Sequence, residues 1–223
     1  QFWDSITTPA AISAFWLTIL VAAIAVPLNT IFGVIAALVL ARGKFRGKAL
    51  LDAVIDLPFA VSPVVAGLAL LLVFGAGGWI SLPFQVISSV PGVVLATIFV
   101  SLPFVVREVT PVLVEIGDEQ EQAAATLGAS GWQAFWRITL PAIRWGVAYG
   151  VVLSVARSIG EFGAVSVVSG KVAGETQTLT LLVEERFQNF DLAGAYAASA
   201  LLAVIALATL LILSRIDPRD GGE

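Results

Sequence analysis

The chain has 223 residues, of which 58% are hydrophobic and 13% charged, with a formal net charge of −4; average soluble domains carry roughly 25% charged residues. So few polar side chains cannot cover a soluble domain of this length, and the mean hydropathy of +0.96 fits a chain whose solvent is mostly lipid. With no Cys and no His, zinc and thiolate sites, disulfides and Ser–His–Asp or Cys–His catalysis are excluded within the chain, and the net charge gives no reason to invoke nucleic acid.

A membrane helix needs about 20 mostly apolar residues, at about 1.5 Å each, and five stretches meet this in chain order. The first, 13–40, is uncharged but contains Pro27 and Asn29; a proline there marks a kink that neighbouring helices tolerate. The second, 51–74, carries Asp52 and Asp56 near its start, where pairing with Arg46 or Lys48 is expected. It also holds Pro58, Ser62, Pro63 and Gly67, so a break or bend is expected there. The third, 93–113, follows a Pro91-Gly92 turn, contains Pro103 and ends near Arg107 and Glu108. The fourth, 143–168, holds Arg157 and Glu161, four residues apart and so on one helix face. The fifth, 192–213, is rich in Ala and Leu and uncharged.

The connections differ in charge. If the first loop is inside, that side holds Arg42, Lys44, Arg46, Lys48, Arg137, Arg215 and Arg219, while the other holds Lys171 and Arg186. The positive-inside rule then puts the N-terminus of this chain outside and the C-terminus in the cytoplasm. The sequence begins at Gln1 without an initiating Met, and an outside start without preceding positive charge needs an earlier span to deliver it. At least one further helix upstream is therefore expected.

Residues 119–146 read as two short helices with a bend. Residues 119–127 are Ala-rich and favour helix. Gly128 is a C-terminal stop, Ser130 caps a second helix over 131–136, and Leu140-Pro141 opens the next span with proline in its first turn. Trp132, Phe135 and Trp136 form an aromatic patch expected to dock on another protein. Small side chains at Ala123, Ala124, Ala125 and Gly128 permit close approach.

The spacing here resembles the E-A-A loop of importer-type ABC permeases. Gln122-Ala123-Ala124 is followed, after three residues, by Gly128, then after nine by Ile138, and after one by Leu140-Pro141. Gln122 stands where the family usually has Glu, with Glu121 beside it. The resemblance implies an all-α polytopic membrane protein with the type I importer permease fold, with 1–223 a single transmembrane domain. It implies that Glu121, Gln122, Ala123, Ala124, Gly128, Ala129, Ile138, Leu140 and Pro141 form a coupling helix fitted to a nucleotide-binding subunit. The stretches VIDLPFAVSPVVAG (54–67), PGVVLATIFVSLPFVVRE (91–108) and SVARSIGEFGAVSVVSG (154–170) resemble the sulfate/thiosulfate branch, with molybdate or tungstate permeases as near relatives. Membership implies a plasma-membrane complex with a second permease subunit, two ATP-binding subunits and an extracytoplasmic sulfate-binding protein. No cofactor is expected in this chain; ATP and Mg belong to the partner ATPase. No metal or catalytic residue is expected.

A pore for a doubly charged oxyanion must avoid fixed negative charge and offer donors, which broken helix ends supply. Pro58, Ser62 and Pro63 either kink a packed helix or form a gate facing the pore. A charge in hydrocarbon costs at least ~2.5–3.5 kcal/mol unless paired or hydrated. Arg157 and Glu161 either lock the fourth helix as an internal pair, or Arg157 meets the anion with Glu161 holding it. Residues 176–190, with apolar Leu179, Leu182, Val183 and Phe187, read as an amphipathic helix at the outer surface. Glu184, Glu185 and Arg186 are its candidates for binding-protein contact, a solvated face being the alternative. A membrane-embedded enzyme would need more polar groups within the spans. A secondary transporter would need several intramembrane carboxylates, and would not account for the loop pattern. The chain lacks a Walker-type Gly-rich Lys motif, so any ATP dependence comes from a partner.

Overall fold

Apolar length sets the long elements. The computed structural model describes residues 2–80 and 82–216, and its regular elements are all helices. In chain order these are α1 (Phe2–Ile6), α2 (Pro9–Arg42), α3 (Lys48–Ala60), α4 (Pro63–Phe74), α5 (Val90–Ile116), α6 (Glu119–Thr126), α7 (Gly131–Ala134), a π-helical stretch (Phe135–Thr139), α8 (Leu140–Ile159), α9 (Gly163–Val168), α10 (Leu179–Gln188) and α11 (Leu192–Ile216). Four helices are long and apolar enough to cross a membrane, and the bent pair α3–α4 is a fifth if counted as one span. With that pair counted the number is the expected one; the first, second, third and fifth spans lie within a few residues of their expected bounds, and the fourth does not. Arg219 lies outside the described residues.

α5 is the central helix. One apolar cluster surrounds its first half, Val93 to Val100, with Val21, Ala164, Val165, Val168 and Leu181. A second surrounds its later half, Val105 to Leu113, with Val34, Ala37, Leu40, Ile55 and Ile143. Small residues let the helices approach, as lipid-embedded packing requires: a Cβ at Gly33 of α2 would lie 2.8 Å from Val105, and one at Gly150 of α8 2.9 Å from its Cα. Between the two clusters runs a polar seam. Asn29, fully buried, donates to Ser101 Oγ at 2.8 Å and to the Ile98 carbonyl at 3.2 Å. Ser158 of α8 meets Ser101 at 3.4 Å.

Three expectations are corrected. The fourth span does not run unbroken over 143–168: α8 ends at Ile159, and α9 restarts at Gly163 after Gly160, Glu161 and Phe162. The helix begun at Gly131 does not stop near Trp136. Its extra backbone residue is absorbed as a π-helical stretch and it runs on to Ile159, so Pro141 sits inside a continuous helix. Finally, α10 does not rest on a surface by its Leu179–Phe187 face. Leu179, Leu181 and Leu182 are buried, the first and last against Ala11, Ala14 and Ala198, and Phe187 is exposed. The expected break in the second span is present and large: α3 and α4 meet at 114°.

Candidate functional site

Two regions collect the residues singled out in the sequence. The first is the segment between α5 and α8. Gly117 (φ +64°) ends α5 and Gly128 (φ +87°) ends α6, both in the left-handed region that glycine adopts without strain. Ser130 and Gln133 form a reciprocal capping box at the start of α7, with bonds of 3.3 and 2.9 Å. α6 has no buried residue. Gln122, Ala123 and Gly128 are exposed, and Ala124, Ala129, Ile138 and Leu140 are half-buried.

The neighbouring carboxylate behaves differently from Gln122. Glu121 turns inward, accepting from Arg42 Nη2 at 3.2 Å, Arg42 Nε at 3.4 Å and the buried Thr139 hydroxyl at 2.8 Å. Arg42 also donates to the carbonyls of Leu113, at 2.8 Å, and Gly117. The Leu113 carbonyl is one of those left unpaired in the last turn of α5. In the sequence Arg42 figures only among the loop cations, and Thr139 is not singled out. The available signal was a cation closing the first span and a carboxylate opening α6.

The aromatic patch turns partly toward the bundle. Trp132, Phe135 and Trp136 contact one another at 5.5–6.0 Å between ring centres. With Ile31, Val34, Ile35 and Leu38 of α2 they line an apolar groove of about 530 Å³. Trp132 remains 70% exposed.

The second region is where two broken helices meet. A Cβ at Gly163 would lie 2.8 Å from Pro63 Cβ, and one at Gly67 would lie 2.8 Å from the Ala164 carbonyl oxygen. The N-terminal turns of α4 and α9 are thus in contact, and the Ser62-Pro63 break adjoins the Gly160–Phe162 break. Ser62 is exposed and its side chain makes no cap bond; Pro58, one turn earlier, is half-buried in α3. Arg157 closes α8, and its Nη1 lies 2.7 Å from Glu161 Oε2. Glu161 is only 2% exposed. It is not on the α8 helix as the four-residue spacing implied. It lies past the end, where its Oε1 accepts from Ala164 N at 2.8 Å and caps α9. Thr180 donates to its carbonyl at 2.9 Å, tying α10 to the same point. Beyond that ion pair, the other guanidinium nitrogens of Arg157 have no further partner among the described residues.

Two further ion pairs differ from expectation. Asp52 and Asp56 pair with Arg107, not with Arg46 or Lys48. Arg107 Nε donates to Asp56 at 2.7 Å and Nη2 to Asp52 at 2.9 Å, with a second contact to Asp56. The planar fork can hold both carboxylates across the α3–α5 contact, which an ammonium cannot. On α10, Glu184 pairs with Lys171 at 2.8 Å, and Glu185 accepts from Gln177. Arg186 points into the fold, donating to the Ser5 carbonyl, Thr8 Oγ1 and the Gly194 carbonyl at 2.9–3.2 Å.

Residues 29–219 match the family described as "Binding-protein-dependent transport system inner membrane component". The chain is 55% identical to the sulfate transport system permease protein CysW of Synechocystis sp., over 94% of this chain and 78% of that protein. It is 50% identical to CysW of Escherichia coli, over 97% and 76%. In fold it resembles a bacterial ABC transporter that imports the acidic polysaccharide alginate, with a TM-score of 0.80 at 18% identity, covering 98% of this chain and 82% of that one. The same kind of transporter in complex with an alginate-bound periplasmic protein gives a TM-score of 0.77, at the same identity and coverage.

Proposed function

The chain belongs to the binding-protein-dependent transport system inner membrane components, and from that premise we propose that it is the permease subunit of an ATP-driven sulfate importer. The observation that carries the substrate is the 55% identity to a sulfate permease over 94% of the chain. Thiosulfate travels by the same route. The complex contains a second permease of similar fold, two ATPase subunits that bind ATP and Mg, and an extracytoplasmic sulfate-binding protein. The chain's own work is to form a path and to receive motion, without bond chemistry. α6 and its glycine-flanked ends present the exposed Gln122, Ala123 and Gly128, with the half-buried Ala124 beside them, to the ATPase. The end of α2 at Arg42 faces the cytoplasm, as its cluster of cations requires.

The paired breaks are the proposed pathway. A sulfate dianion leaving water needs donors that carry no countercharge of their own. The first turn of α4 offers the N–H groups of Val64 and Val65, which have no intrahelical acceptor. Arg157 offers the donors that Glu161 leaves open. Glu161 then keeps the guanidinium in place while its own negative charge is spent on Arg157 and the α9 cap.

The test is uptake of radiolabelled sulfate into vesicles holding the full complex. Uptake that requires ATP and the binding protein, and that excess molybdate leaves intact, is the expected result. Uptake driven by an ion gradient without ATP overturns the importer reading, and stronger competition by molybdate than by unlabelled sulfate overturns the substrate.

A further inference from the structure

α6 is attached to the bundle by charge more than by apolar area. It buries no residue, and Leu127 at its end is 89% exposed. Its flanking glycines, Gly117 and Gly128, sit in open space with positive φ, so neither chain connection is wedged against the bundle by a side chain at those positions. What reaches back from α6 is Glu121, whose carboxylate meets Arg42 and Thr139 within 3.4 Å. Arg42 is the last residue of α2 and holds the Leu113 and Gly117 carbonyls at the end of α5. Thr139 belongs to the π-helical stretch that leads into α8. One guanidinium, one carboxylate and one hydroxyl therefore join α6 to three long helices.

We propose that Arg42, Glu121 and Thr139 form the positioning link that carries displacement of α6 into α2, α5 and α8. This rests on α6 being the ATPase-coupling helix. The physical reason is directionality. A helix seated on apolar area alone can slide, whereas a forked guanidinium–carboxylate contact fixes both distance and orientation. The pair is also about three-quarters shielded from solvent, which strengthens it relative to a surface pair. Without it, the glycine-flanked connections absorb the motion and ATP is hydrolysed without moving the spans.

The test uses the complete transporter in proteoliposomes, with sulfate uptake and ATP hydrolysis read from the same preparation. Glu121→Gln keeps the side-chain shape and leaves the Arg42 bonds to α5 in place. It is expected to raise the ATP hydrolysed per sulfate imported by about tenfold or more, the scale on which losing a charge-assisted hydrogen bond acts. Arg42→Gln should do the same, and the double variant should be no worse than the more affected single one, because the two residues act as a unit. A ratio that stays at the unsubstituted value, with uptake and hydrolysis falling together, overturns the link; so do effects that multiply in the double variant. Should Arg42→Gln fail to assemble, Glu121→Gln decides alone. Absence of ATP-dependent sulfate uptake by the unsubstituted complex overturns the proposed function, and with it the role of the link.

Discussion

Two Arg–Glu pairs in this chain look alike on paper and do different physical work. Arg157 and Glu161 are four residues apart, and the carboxylate is buried at 2% exposure between α8 and α9. Arg42 and Glu121 are 79 residues apart and meet where three long helices and α6 converge, each retaining about a quarter of its exposure. The first pair neutralises a charge that lipid would penalise and caps a restarted helix. The second joins elements that the chain itself connects loosely. The two cations are exposed to a similar degree and the contrast lies in the carboxylates: buried Glu161 is tied to the local fold, while the partly exposed Glu121 is the one proposed to carry motion from α6.

The sharpest way to break this contrast is Glu161→Ala. It strands the Arg157 guanidinium, which is itself only partly buried, and uncaps α9, so a loss of about 2–3 kcal/mol is expected, below the figure for a fully buried pair. Thermal unfolding of the detergent-purified protein should show a large fall in Tm and in yield; a Tm within the experimental error of the unsubstituted protein would contradict the capping role. Arg157→Lys is milder and separates structure from transport. The charge and the pairing to Glu161 persist but the fork is lost, so Tm should hold while sulfate uptake drops by about tenfold, equivalent to ~1.4 kcal/mol. Unchanged uptake would leave the pair a structural lock only. The smallest effect is expected for Glu184→Gln, which removes the Lys171 pair on α10. That contact is part exposed at 2.8 Å, so a change below about 1 kcal/mol, shrinking further in high salt, is expected. A larger loss, read as Tm at two salt concentrations, would mean that α10 depends on charge more than on Leu179 and Leu182.

Much of the fold was legible because lipid makes hydropathy a one-dimensional signal. Every backbone group must be satisfied within a helix, so long apolar runs become spans and Pro63 becomes a break. The loop was legible through local chemistry: Gly128 adopts positive φ and Ser130 caps the next helix. The destination of the broken ends was not legible. Nothing in the spacing of Pro63 and Glu161 says that Gly163 will rest on Pro63. The burial of α10 was missed because period alone cannot tell a helix on a membrane surface from one buried by Leu179, Leu181 and Leu182. Asn29 stood in the sequence only as an interruption of an uncharged span; that it bonds Ser101 and the Ile98 carbonyl across to α5 was not legible.

By itself, then, the sequence determined the solvent, the approximate number of spans, the α6–α8 segment and the presence of a neutralised charge near the end of α8. Each follows from composition or from periods of a few residues. Tertiary structure alone decided which carboxylate meets which cation. Asp52 and Asp56 have Arg46 and Lys48 nearby in sequence, yet they pair with Arg107, and Glu121 finds Arg42. Coulomb attraction acts over a few ångströms in space, and the distances that matter are set by how α2, α3 and α5 pack against one another.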